Sequence, residues 1–206
     1  MADPLNVIVD LSHHNGLVDL AQAKAAGILG VIHKATQGTS FVDPNYQSNR
    51  VQAQVNGLFW GAYHFGVGAD GVEQADHLLD VVKPGPQDLL VLDLEANAQG
   101  PSMTLEEARA FVTHINQSVG RFPGLYAGHY LKDLLGTGTD PVLANCWFWL
   151  SQYGPTPVVR VNWKHGRCGN TPTELWDQSR TTYRASDAAT ATSSMETSTA
   201  SRVYGG

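Results

Sequence analysis

Asp93 and Glu95 stand two residues apart at the end of Leu89-Leu90-Val91-Leu92-Asp93-Leu94, the most apolar run in the chain. Strand side chains alternate between faces, so the two carboxylates share one face, roughly 6–7 Å apart along the backbone. A gap of that size holds a sugar ring between an acid and a second carboxylate, which is what glycosidic cleavage needs. Mutual repulsion and partial burial would raise one of the two pKa values, so that this group donates a proton near neutral pH. The longer Glu95 suits the donor. Asp93 is expected to stay ionised and to stabilise positive charge developing on the sugar or its 2-acetamido group. The same pair could also be strand-end carboxylates meeting helix N-termini or lysines, or a divalent-metal site.

Other apolar runs end in polar residues too: Asp10, His33-Lys34, Tyr63-His64 and Tyr126. Parallel α/β folds place their chemistry at the C-terminal ends of strands, so several runs ending this way define a rim. Asp10 would join the pair at that rim, or cap the turn at Ser12. Lys34 would pair with Asp10 or Glu95, or serve as a buried ion-pair partner. Gln37 would touch sugar or lie solvated in a loop, and His64 would bond within the rim or be a satisfied structural histidine. Trp147 and Trp149 alternate on one strand and share a face, with one or both in the core.

These residues need a scaffold of strands and helices. The apolar, β-branched segments Val7–Leu11, Ile28–Ala35, Leu58–Phe65, Leu89–Leu94, Leu125–Ala127 and Cys146–Leu150 read as strands. Asp19–Ala26, Asn45–Asn56, Val72–Val82, a segment from Thr104 to about Gly120, and Tyr130–Leu135 read as helices. Thr104 and Glu107 form a capping box opening the fourth of these. Near-continuous apolar strands separated by amphipathic helices imply parallel βα units covered on both faces. A compact single-domain (β/α) barrel of the TIM-like type is expected, with a doubly wound open sheet as the alternative.

The chain has 206 residues, of which 42% are hydrophobic and 16% charged, enough for one sizeable core. Its formal charge of −6 argues against nucleic acid or an anionic membrane as partner, because such binding rests on basic surface. Recognition of an anionic cell wall would have to come from a shaped groove. Two cysteines, Cys146 and Cys168, make no disulfide framework. The eight histidines include no repeated metal-ligand spacing, so no metal or cofactor is expected. No segment approaches the roughly 18 apolar residues of a membrane span. The start, Met1-Ala-Asp-Pro, runs into a strand without a charged-then-apolar leader, which fits a mature secreted chain or phage-type release.

Six segments, in order, resemble the family 25 glycoside hydrolases, the Chalaropsis-type lysozymes. They are Asp10-Leu-Ser-His-His-Asn15-Gly16 with Asp19, Lys34-Ala-Thr-Gln-Gly38, Gly61-Ala-Tyr-His-Phe65, Asp93-Leu-Glu95, Gly124-Leu-Tyr126 and Trp149-Leu-Ser-Gln-Tyr153. The resemblance implies a flattened β/α barrel that hydrolyses the β-1,4 bond between N-acetylmuramic acid and N-acetylglucosamine in bacterial peptidoglycan. It implies Glu95 as proton donor, Asp93 as second carboxylate and Asp10 as a supporting acid. It also implies Tyr63, Tyr126, Trp149 and Tyr153 as aromatic walls for sugar rings, with Lys34 and Gln37 beside them. A monomer acting outside the cell or at the wall is expected.

The end of the chain departs from that pattern. Residues 179–201 hold six Ser, six Thr and five Ala but no Leu, Ile, Val, Phe or Trp. Such a run cannot bury enough apolar area to offset its ordering entropy. Reading the codons of His165–Trp176 one base earlier can spell Trp-Thr-Leu-Trp-Gln-Tyr-Thr, a stretch the family carries. The same shift over Ala189–Glu196 can spell Asp-Gly-Asn-Lys-Phe, a second one. The expected division is therefore a barrel over 1–163 and an atypical tail over 164–206, produced by a frameshift that replaces the last barrel strand. A catalytically weak glycan-binding barrel is the corresponding alternative.

Overall fold

A computed structural model of the protein describes residues 7–151. Six parallel strands follow one another in space as in sequence: β1 (Val7–Leu11), β2 (Ile28–Gln37), β4 (Phe59–Phe65), β5 (Leu89–Leu94), β6 (Gly124–Ala127) and β7 (Trp147–Leu150). A two-residue β3 (Phe41–Val42) folds back antiparallel onto the end of β2. Every crossover steps one strand in the same direction. A doubly wound sheet reverses direction at its switch point; a barrel-type sheet does not. The described residues thus form a curled half-barrel.

Strand alternation splits the side chains into two buried layers. Val9, Leu11, Val31, Ala35, Trp60, Ala62, Leu90, Leu92, Leu94, Leu125 and Ala127 point outward and pack under the helices. Those helices are α1 (Leu20–Ala25), α2 (Tyr46–Val55), α3 (Gly71–Val82), α4 (Leu105–Val119) and α5 (His129–Leu135). Each turns a stripe inward at spacings of three and four, for example Ala75, Leu78 and Val82, or Ala108, Phe111, Val112 and Ile115. The second layer faces the inside of the curl and takes nothing from any described helix: Ile32, Val91, Tyr126 and Trp149, with Ile8, Tyr63 and Trp147 packed against them. At Gly124 an added Cβ would collide with the Trp147 ring, so only glycine lets that indole lie across β6.

The helix starts follow their caps. Asp19 accepts from Gln22 N at 2.9 Å, and Asp70 accepts from Val72 N and Glu73 N. The Thr104–Glu107 capping box forms as expected, each such cap contributing about 1 kcal/mol. All five helix bounds fall within one residue of the sequence reading.

Two features of β2 depart from that reading. The strand runs past Ala35 to Gln37, and it carries a bulge between Lys34 and Thr36 where it pairs with β4. Lys34 pairs with Tyr63 before the bulge, whereas Thr36 pairs with His64 and Gln37 with Phe65 after it. The extra residue reverses the alternation, so Gln37 rejoins the inward face that Lys34 occupies. β3 escaped the reading because two exposed residues carry no period, and its turn is made by Gly38 at φ 56°.

Candidate active site

Inward-facing positions near the C-terminal strand ends collect the polar residues. Asp10 pairs across the sheet with Ile32, Tyr63 with Lys34 and Val91, and Asp93 with Phe65 and Tyr126. Tyr126 in turn pairs with Trp149. Partners in a parallel ladder point to the same side, so Asp10, Lys34, Tyr63, Asp93, Tyr126 and Trp149 line one concave face. Glu95 continues that face just past β5. Ser12, rather than Asp10, caps the turn after β1 by accepting from His14 N, leaving Asp10 on the inner face.

The two carboxylates occupy different environments. Asp93 is buried, and its Oδ1 has no hydrogen-bond partner. Burial drives its pKa well above the usual carboxylate value; the charges of Glu95 and Asp10 push the same way, and Lys34 opposes them. The sequence reading kept Asp93 ionised and let burial act on the other group. In the structure, burial falls on Asp93, because the strand ends one residue before Glu95 and leaves the latter half-exposed. Glu95 Oε1 accepts a hydrogen bond from Ser151 Oγ at 3.0 Å, and Ser151 Oγ accepts from Tyr126 OH at 3.0 Å.

Lys34 is buried and donates to Gln37 Oε1 at 2.6 Å, a contact that depends on the bulge. Its ammonium lies over the rings of Phe65, 5.0 Å from the centroid, and Phe41, at 5.5 Å. Burial lowers its pKa, opposed by Asp93 and Asp43. Tyr63 has its pKa raised well above the usual phenol value, by burial first and then by Asp93, Asp10 and Asp43. It therefore presents a protonated hydroxyl to this acidic face, with Ser12 as a hydrogen-bond partner. Tyr126 and Trp149 are buried, 8% and 2% exposed, and meet edge to face at 4.8 Å. The Trp149 Nε1 donor has no partner. Tyr153 lies outside the described residues, as does the tail.

His64 lies on the outward face. It is bonded to Thr36 Oγ1 and Gln74 Oε1 under α3, and so belongs to the scaffold. Among the described residues no group of three or more His, Cys, Asp or Glu is arranged to hold a metal ion. Two participants were absent from the sequence reading. Ser151 continues the period-two series Trp147, Trp149, Ser151, so alternation could have found it. Asp43 could not be found that way: it comes in from the β3–α2 connection, buried, accepting from His13 N at 2.9 Å and Asn45 N at 3.0 Å and meeting His13 Nδ1 at 2.7 Å.

The burial of Asp93 predicts a trade of stability for function. An aspartate whose folded-state pKa is raised lends its stability below the ordinary value of 3.8, and that stability is lost as pH rises through the folded-state value. At pH 7 the group therefore opposes folding. Asp93→Asn should raise the midpoint of thermal unfolding at pH 7 by about 2–4 °C, and the gain should vanish below pH 4. Thermal scans at both pH values check this; a lower midpoint at pH 7 would contradict it.

A curled parallel α/β sheet with paired carboxylates at its C-terminal strand ends places the chain among the barrel-type α/β folds. The model of the glycosyl hydrolases family 25 matches residues 9–183. The chain belongs to that family. It is 33% identical over 103 residues to lysozyme M1 of Streptomyces globisporus, covering 45% of this chain and 33% of the relative. It is 30% identical over 138 residues to the N,O-diacetylmuramidase of Chalaropsis sp, covering 57% of this chain and 63% of the relative. The chain thus spans from a third to under two thirds of the length of these curated relatives. The crystal structure of the bacterial lysozyme from Streptomyces coelicolor superposes with a TM-score of 0.68 at 25% identity, over 79% of this chain and 82% of that one.

Proposed function

We propose that this protein is a muramidase that hydrolyses the β-1,4 bond between N-acetylmuramic acid and N-acetylglucosamine in bacterial peptidoglycan. The carrying observation is the concave face on which Asp93 and Glu95 stand with Asp10, Lys34 and Tyr63. Glu95, half-exposed and held by a hydroxyl, is the proton donor to the leaving oxygen. Asp93 has a buried oxygen without a partner, available to the sugar or to its acetamido N–H as positive charge develops. Asp10 and Tyr63 shape the field around it. Trp149, with its unpartnered indole N–H, and Tyr126, Tyr153, Lys34 and Gln37 complete the sugar site. Family membership, and relatives named as lysozyme and muramidase, support peptidoglycan as the partner.

The protein acts as a monomer on the wall or outside the cell. Among the described residues no helix is long and apolar enough to cross a membrane. The barrel domain takes in residues 1–163, and the remainder forms a tail whose composition differs from it. Mass spectrometry of purified peptidoglycan after digestion tests the activity. Fragments with N-acetylmuramic acid at the new reducing end are expected; N-acetylglucosamine ends, or binding without any product, would refute it.

A further inference from the structure

We propose that Ser151 is a positioning residue for Glu95, deciding which of its two carboxyl oxygens carries the transferable proton. The inference rests on the reading of Glu95 as proton donor. Ser151 Oγ donates to Glu95 Oε1 at 3.0 Å, and the Tyr126 hydroxyl donates to Ser151 Oγ at 3.0 Å. A serine hydroxyl has a single hydrogen. With Tyr126 occupying an acceptor position on Oγ, that hydrogen is directed at Glu95.

An oxygen that accepts such a bond is the carbonyl oxygen of the protonated acid, so the proton is kept off Oε1 and placed on Oε2. In the reaction the Oε2 proton passes to the glycosidic oxygen, which leaves with the electron pair of the broken C–O bond, and Glu95 becomes a carboxylate still held at Oε1. The backbone reinforces this geometry. Ser151 N donates to Ala127 O at 2.9 Å, and a Cβ at Gly128 would approach Ser151 Cβ to 3.1 Å, so β6 and β7 meet closely just below the hydroxyl. Tyr126 is buried among apolar side chains on β6. Its hydroxyl is thereby carried on a fixed ring rather than a mobile one.

Asp93 on its own strand, Asp10 on β1, Lys34 on β2, Tyr63 on β4 and Tyr126 on β6 share the concave face with Glu95. Ser151 Oγ is the donor placed at Glu95 Oε1, so removing it changes both orientation and charge stabilisation. A hydrogen bond donated to a carboxylate favours its ionised form. Without it the carboxylate left after proton transfer loses that support, and kcat falls.

Ser151→Ala, Ser151→Thr and Tyr126→Phe test the assignment. kcat and KM are measured across pH on soluble peptidoglycan fragments, with thermal unfolding beside them. Ser151→Ala should lower kcat about tenfold at nearly constant KM. Ser151→Thr, which keeps the hydroxyl, should restore most of the rate, and Tyr126→Phe should produce a smaller loss of kcat. A Ser151→Ala enzyme with wild-type kcat overturns the proposal. So does a loss that threonine fails to rescue while thermal stability is unchanged. The 13C carboxyl signal of Glu95 at fixed pH separates this from the underlying reading. If Glu95→Gln proves fully active, the donor assignment fails; if Ser151→Ala leaves the Glu95 signal where it was, the Ser151 contact fails.

Discussion

Glu95→Gln is expected to lower kcat/KM on purified peptidoglycan by about 10²–10⁴-fold, the usual contribution of a positioned general acid. Glutamine keeps the shape of the side chain and can still accept from Ser151 Oγ, but it has no proton to give to the leaving oxygen. The fold should not suffer. Glu95 is half-exposed beyond the end of β5, where it accepts a hydrogen bond from Ser151 Oγ. Thermal unfolding within a degree or two of wild type, together with the collapse of rate, would locate the defect in chemistry. Asp93 offers a contrast: its neutralisation should raise stability as well as lower activity, because it carries the burial. Turbidity loss of cell walls and reducing-end release both read the outcome. Equal rates for wild type and Glu95→Gln would sink the assignment of the acid.

A second large effect concerns acid. His64 lies buried on the outward side of β4, with Thr36 Oγ1 at 2.8 Å from Nδ1 and Gln74 Oε1 at 3.1 Å from Nε2. The Gln74 amide nitrogen is committed to the carbonyls of Val67 and Ala69, so its oxygen faces His64 and Nε2 must donate. The ring is therefore held neutral, and burial lowers its pKa from 6.5 to about 3. The unfolded chain binds a proton below 6.5 that the folded chain refuses until about 3. Stability should fall as pH drops through that window, by about 1.4 kcal/mol per unit from this group. His33, whose pKa burial also lowers, acts in the same direction; it is bonded to Lys34 O and Asn49 Nδ2. Urea unfolding at pH 6.5 and 4 should differ by about 3 kcal/mol on account of His64. The difference should shrink in His64→Gln. NMR of the imidazole gives an independent reading: a ring that titrates near 6 in the folded protein would falsify the claim, whatever the variant's stability.

Much of the arrangement was present in local pattern. Burial on both faces makes Leu89–Leu94 an unbroken apolar run, and alternation puts Asp93 and Glu95 on one side of it. The caps at Asp19 and Thr104 are local chemistry, since each side chain satisfies amide groups within three residues. These signals carry over from sequence to structure because they depend on neighbours in the chain.

What lay beyond the sequence depends on partners far away in it. Lys34 and Gln37 are three apart, and strict alternation sends them to opposite faces; the bulge against β4 returns them to one, where they meet at 2.6 Å. Asp43 comes to the site from a connection with no period to mark it. Which member of the acid pair is desolvated was also undecided in one dimension. Both carboxylates belong to the same short motif, and charge repulsion alone does not tell them apart. The curl of the sheet buries Asp93 at the end of its strand, while Glu95, one step past that end, meets solvent and the hydroxyl of Ser151. Spacing along the chain determined that two acids would share a face; burial, which only the folded sheet creates, decided which of them is desolvated.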